Sequence, residues 1–232
     1  MSAEPVLPVP APVPRRGFWF HRRSLPCPTW RFWLCAMLLG TGLLVLAGRH
    51  LHPWLAVTEP VPDARYLVVE GWVPDHVLNA TISIADDNPT NRVFCTGLPL
   101  ERGSYLVQWK TYADVTAQSL ARLGLEPQLI CPVPSADVKT ERTRAMATAL
   151  KAILDHEPVP DTGRKINIVT LGTHARRSRA IFQDVLGPDW QVGVISVPSV
   201  SYDTSQWFRQ SEGAKNVITE ITALTLMAAG GN

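Results

Sequence analysis

The chain has 232 residues, 46% of them hydrophobic and 18% charged, which suits one ordinary domain with an appendage and excludes a disordered tail. The formal charge of +2 is unevenly placed: residues 1–31 hold five arginines against one glutamate, a net of +4, and the remainder is about −2. The basic character thus belongs to a tail, which argues against a nucleic-acid-binding face on the domain.

Residues 5–14 read PVLPVPAPVP, an extended lead-in, because proline lacks the N–H and fixes φ. Phe32 to Gly48 (FWLCAMLLGTGLLVLAG) is an uninterrupted apolar run without charge. At ~1.5 Å per residue it spans ~25 Å, near the lower end of what a bilayer core requires. Trp30, Trp33 and Trp54 near its ends match an interfacial aromatic belt, and the arginines before it point to a cytoplasmic N-terminus with the rest outside. A signal peptide cut near Val45-Leu46-Ala47 is the competing reading, but the lead-in of about 31 residues is long for one. The expected organisation is a basic tail (1–31), a transmembrane anchor (32–52), a linker (53–64) and an α/β domain (65–228).

Strands and helices then alternate. Tyr66–Glu70 (YLVVE), Arg92–Thr96 (RVFCT), Gln128–Cys131, Lys165–Leu171 (KINIVTL) and Gln191–Val197 read as strands. Asp75–Ala85, Ser104–Leu123, Val138–His156, His174–Leu186 and Gln206–Ala228 read as helices, several closed by glycine. Continuous Val/Ile/Leu strands, each followed by a helix, predict a Rossmann-like, doubly wound, five-stranded parallel sheet. Cys95 and Cys131 each end a predicted strand, so a disulfide and two free thiols both stay open.

In such sheets ligands bind beyond the carboxyl ends of the strands. Three donor-rich clusters fall there: Leu100-Glu101-Arg102-Gly103-Ser104 with Lys110 following; Lys139-Thr140-Glu141-Arg142-Thr143; and Thr173-His174-Ala175-Arg176-Arg177-Ser178. Glu70, Gly71, Trp72 and Gly97 close the first two strands beside them. Arginines and helix starts favour an oxygen anion, phosphate or carboxylate. Glu70 ends a buried strand, where a carboxylate needs a partner, and an arginine of the pocket is the expected one. Glu220, on an apolar helix face, is expected to anchor an arginine in the same way. His174 is the candidate catalytic residue. Glu70, Gly71, Trp72, Gly97, Glu101, Arg102, Lys110, Arg142, Thr143, Arg176 and Arg177 are the candidate ligand-binding residues. There is no GxGxxG after the first strand, no GxxxxGK[ST], no GxSxG, and no Cys/His spacing for zinc, so neither a cofactor nor a metal is expected.

Five segments in order, YLVVEGWVPD, CTGLPLERGSYL, ERTRAMATAL, VTLGTHARRSRAIF and YDTSQWFRQSEGAKNVITE, resemble the DUF218 domain family of ElyC/SanA/YdcF-like envelope proteins. The resemblance covers about residues 65–225. It implies a Rossmann-like domain in bacteria, often periplasmic behind a single anchor in the inner membrane, with a role in cell-envelope biogenesis and lipid-carrier or surface-glycan metabolism. The family's histidine-arginine motif falls on His174 and Arg177, with Arg176 as an extra arginine; its threonine-containing helix start falls on Arg142 and Thr143; its late helix motif falls on Trp207, Ser211, Gly213 and Glu220. Two positions depart from the pattern: Ala145 stands where many members have glutamate, and Glu70-Gly71-Trp72 stands where the first strand often ends in Gly-Gly.

Three functions follow as expectations. The first is a hydrolase or transferase acting on a phosphorylated, polyprenyl-linked glycan intermediate, with His174 as general acid or base. The second is a non-catalytic module that holds an anionic ligand and contacts an envelope-assembly protein. The third is S-adenosylmethionine-type nucleotide binding, which the resemblance attaches to a cytosolic branch and which an extracytoplasmic domain disfavours.

Overall fold

A computed structural model describes residues 28–87, 90 and 92–230. The Pro-rich stretch, the first four arginines and Cys27 lie outside the described residues. The chain divides into two units, residues 1–42 and 43–232. Helix α1 (Trp30–Leu55) is 26 residues long, and the mean hydropathy of 1.7 over its most apolar 18 residues makes it long and apolar enough to cross a membrane.

Within the second unit, β1 (Tyr66–Glu70), β2 (Arg92–Gly97), β3 (Ile130–Pro134), β4 (Lys165–Leu171) and β5 (Gln191–Val197) form one sheet. All neighbours are parallel, in the order β3-β2-β1-β4-β5. Every residue of β1 is buried, as a central strand covered on both faces requires. Helices α2 (Asp75–Asp87) and α3 (Tyr112–Arg122) pack on Leu67, Val69, Val93 and Cys95. Helices α4 (Arg142–Leu154) and α5 (Ala175–Leu186) pack on Val68, Phe94, Ile166 and Ile168 of the other face. The chain winds outward from β1 in one direction and from β4 in the other, so their carboxyl ends bracket the switch point of a Rossmann-like fold.

Helix α6 (Ser211–Ala228) follows a 3₁₀ segment, Thr204–Arg209, that Asp203 caps through Ser205 N. It forms a smaller core with the end of α1: Leu55, Tyr202, Trp207 and Val217 are buried together. Trp207 Nε1 donates to Gly48 O at 2.9 Å, and His52 Nε2 meets the Tyr202 hydroxyl at 3.0 Å. The expected boundary at residue 52 therefore moves: the helix runs on to Leu55, and its last turns belong to the domain. The expected linker is also docked. Glu59 pairs with Val194 of β5 in antiparallel fashion, and Asn167 of β4 grips both backbone polar groups of Val61. This covers the outer edge of β5, an otherwise open template for pairing.

Other boundaries also differ from expectation, four of them by enough to matter. Helix α3 starts at Tyr112, not Ser104, because Thr111 is its cap, accepting from Asp114 N and donating to Asp114 Oδ2. Strand β3 runs two residues late, through Pro132 and Pro134, which an edge strand tolerates because its outward N–H groups bond nothing. Helix α4 starts at Arg142, after Glu141 in a left-handed conformation with φ 54°. Helix α6 starts at Ser211, where the 3₁₀ segment ends.

The register answers the cysteine question. Cys131 is paired with Phe94, and Cys95 with Pro132. Side chains alternate along a strand, so Cys95 enters the α2/α3 core while Cys131 packs against the opposite one. Both thiols are free, and burial pushes both above the ordinary cysteine range. Alkylation of the denatured chain without reductant should modify Cys95 and Cys131 completely; a linked pair by peptide mass would overturn this register.

Candidate functional site

The site grows from one buried carboxylate. Glu70 closes β1 and is fully buried, and an ion placed there costs several kcal/mol unless its oxygens are satisfied. The Thr170 hydroxyl of β4 donates to Glu70 Oε2, and the Ser178 hydroxyl of α5 lies 3.1 and 3.0 Å from the two oxygens. The charge partner is His174, with Nε2 at 3.7 Å. Among the described residues no arginine pairs with Glu70, contrary to expectation; the start of α5 supplies instead a histidine just before it and a serine four residues on.

His174 stands between two carboxylates. Its Nδ1 lies 2.8 Å from Glu220 Oε1 on α6, and its Nε2 lies 3.5 Å from the Thr143 hydroxyl on α4. Glu220 also accepts from Arg177, Nε at 2.7 Å and Nη2 at 3.1 Å, a forked pair. The anchoring role expected of Glu220 is therefore present, with Arg177 as its arginine. The Trp72 ring stands 4.9 Å from the imidazole, at 81° to it.

Burial alone lowers the affinity of His174 for its proton; the charge of Glu70 and the hydrogen bonds to Glu220 and Glu70 outweigh it, and its pKa rises from 6.5 to about 9 although Arg177 opposes. Burial raises Glu220, but its bonds to His174 and Arg177 prevail and hold it at about 2. For Glu70, burial also opposes ionisation and is overcome chiefly by His174, leaving its carboxyl below the usual range. Glu70, Glu220, His174 and Arg177 thus form a neutral cluster of two anions and two cations.

Beyond this cluster a cleft of about 520 Å³ opens at the carboxyl end of the sheet. Of the expected ligand-binding residues, Trp72, Gly97, Glu101, Arg142, Thr143 and Arg177 line it, together with the candidate catalytic residue His174. Arg142 is ion-paired with Glu101. The others lie elsewhere. Glu70 is behind His174. Gly71 serves packing: a Cβ there would lie 2.6 Å from Thr96 O and 2.8 Å from Tyr112 O, where α3 starts. Arg176, one helical step from Arg177 and so turned about 100° away, stacks on Trp54 at 4.3 Å and donates to Trp54 O at 2.6 Å. Lys110 folds back onto Ser104 O and Val107 O. Arg102 is exposed on the same loop and does not line the cleft.

The structure adds Asp137, Lys139, Tyr202, Lys215, Asn216 and Thr219 to the lining. Lys139 lay within an expected cluster. Asn216 lies four residues before Glu220 on α6 and so on its face, which is the one signal the sequence held for it; Lys215 and Thr219 flank that face. Leu98, Pro99, Tyr112, Val138 and Met146 add apolar surface to the lining. Among the described residues, no three His, Cys, Asp or Glu side chains are grouped as metal ligands. No protein-family model matches the chain, and no curated protein matches it.

Two predictions follow from the cluster. Glu70→Gln removes the charge that Thr170, Ser178 and His174 share, and should cost roughly 1–3 kcal/mol in urea unfolding while moving the His174 titration, followed by NMR, well below 9. An unshifted histidine would show that Glu70 does not set its charge. Stability should also fall at both ends of the pH range. The His174 contribution is complete below 6.5, where both folded and unfolded rings are protonated, and is lost as pH rises through about 9; the Glu220 contribution is complete above 4.5 and is lost as pH falls to about 2. His174→Gln should flatten the alkaline limb.

Proposed function

We propose that this chain is a membrane-anchored protein whose cleft binds a phosphate-bearing ligand with an apolar portion, and that it acts on, or senses, a lipid-linked glycan intermediate of the bacterial cell envelope. The observation that carries the reading is the cleft at the switch point of the sheet, which His174, set between Glu70 and Glu220, borders. Beside it, Arg142, Lys139 and Lys215 offer positive charge, and Leu98, Pro99, Tyr112, Val138 and Met146 accept apolar surface. A cleft of about 520 Å³ suits a ligand much larger than inorganic phosphate. The resemblance to the DUF218 domain family supports the envelope setting, and α1 supports the anchor. The excess of arginine before α1 supports a cytoplasmic N-terminus and a periplasmic domain.

In the catalytic form of this reading, an acceptor hydroxyl or water attacks phosphorus as the bond to the departing oxygen breaks; that oxygen keeps the bonding pair and takes its proton from His174 Nε2, and the nucleophile's proton then returns to Nε2. Arg142 and Lys139 hold the phosphoryl oxygens. Glu220 keeps Nδ1–H engaged, which leaves Nε2 as the working atom. The same geometry favours a second reading. A histidine with a pKa of about 9 is no base at neutral pH, and its two neighbouring carboxylates, Glu70 and Glu220, are already committed to it, which suits a module that binds and does not convert.

The test uses the full chain in lipid nanodiscs with polyprenyl phosphates, pyrophosphates and sugar-linked lipids. Binding should weaken by roughly 10–100-fold in Lys139→Ala/Lys215→Ala, the loss of charge-assisted hydrogen bonds. Phosphate release that disappears in His174→Ala makes the protein an enzyme; binding without release makes it a binding module. Failure of the whole panel to bind removes the proposal.

A further inference from the structure

The loop between β2 and α3 exposes apolar side chains that the domain does not need to expose. Tyr105 is 99% and Leu106 88% exposed, with Val107 beside them. The tip is not loose. Pro99 and Thr111 pair across its neck, Leu100 N bonds Lys110 O at 2.9 Å, and Leu106 N bonds Gly103 O at 2.9 Å. Lys110 Nζ staples Ser104 O and Val107 O, at 2.6 and 3.2 Å. Arg122 stacks on Trp109. A braced loop that presents three consecutive apolar residues to water marks a contact surface.

Two further observations select the partner. Residues 102–111 (RGSYLVQWKT) carry two cations and no acid, and neighbouring Glu101 is already paired with Arg142. Tyr and Trp beside basic residues are the composition of a membrane interface. The second observation is where the chain enters the domain. Arg176, at the start of α5, holds Trp54 O, and Tyr202, in the cleft wall, meets His52, so the end of α1 sits at the carboxyl end of the sheet. The neck of the loop, through Leu98, Pro99 and Glu101, lines the same cleft.

We propose that the Tyr105–Val107 tip is a second membrane contact, inserted into the headgroup layer of an anionic bilayer at the mouth of the cleft. This rests on α1 being a membrane anchor and goes beyond the ligand reading. It makes the carboxyl end of the sheet the membrane-facing end and lets an amphiphile enter the cleft from the bilayer.

The experiment uses the full chain, carrying Cys27→Ser, Cys35→Ser and Cys131→Ser, in vesicles of equal parts phosphatidylethanolamine and phosphatidylglycerol. An environment-sensitive fluorophore is attached at Leu106→Cys or, as control, at Val159→Cys, which is exposed in the loop before β4 at the opposite end of the sheet. Lipids with spin-labelled headgroups in both leaflets should quench the label at 106 several-fold more than that at 159. Equal quenching overturns the proposal. A label at 106 that is shielded but not quenched by lipid also overturns it, since the tip then covers the cleft or a second copy. Flotation separates the two readings: a chain that does not float with the vesicles removes the anchor itself, whereas a chain that floats with an unquenched tip removes only the second contact.

Discussion

The structure turns on a carboxylate buried where water cannot reach it. Glu70 lies at the carboxyl end of the central strand, fully buried. An isolated carboxylate there would take up a proton or unfold its surroundings. Its stability needs donors from Thr170 on β4 and Ser178 on α5, and positive charge from His174. Those needs tie β1, β4 and α5 together at the point where the winding of the sheet reverses. His174 in turn needs Glu220 for its second nitrogen, and that draws α6 across the top of the sheet. The place where a doubly wound fold leaves a crevice is thus also where its polar interior is closed.

Helix α5 distributes these attachments by its pitch. His174 and Ser178, four residues apart, face Glu70. Arg177 faces Glu220. Arg176, rotated away, reaches the end of α1 through Trp54. Arg179 bonds Val192 O of β5 and pairs with Glu59 of the segment that covers that strand's edge. Six residues therefore join the sheet, α6, the last turns of α1 and the incoming chain. Read as a string, ARRSR is a basic cluster; on a helix it is three separate anchors, of which only Arg177 borders the cleft.

That difference explains what was legible in the sequence. The fold was, because Val/Ile/Leu runs alternating with amphipathic stretches leave few alternatives, and the strands and the switch point stand where the pattern put them, save for β3, which starts two residues late. His174 and Trp72 were legible because strand ends define the site, and Glu220 because a carboxylate on an apolar helix face needs a partner. The loops were not. Ser104 looked like a helix start, but Thr111 with Asp114 three residues on held the better capping pair. The pocket cations were misread because charge in sequence does not say where a long side chain turns: Lys110 is spent on two carbonyls and Arg176 on a tryptophan. The docked course of residues 53–61 has no sequence signal of its own, since it depends on Asn167 and Val194 more than 100 positions away.

The charge balance separates scaffold from recognition. Two carboxylates against His174 and Arg177 leave the innermost cluster neutral, so it has little net field for an arriving anion. Arg142 is already engaged with Glu101. The uncommitted charge at the mouth lies on Lys139, in the loop before α4, and Lys215, on α6; among the described residues neither has an ion-pair partner, and both are exposed. Flexible lysines at the rim can meet an anion at small cost in desolvation, whereas the buried cluster cannot lose a member without leaving a charge unpaired. The interior therefore constrains substitution through stability, and ligand preference can change through the rim alone.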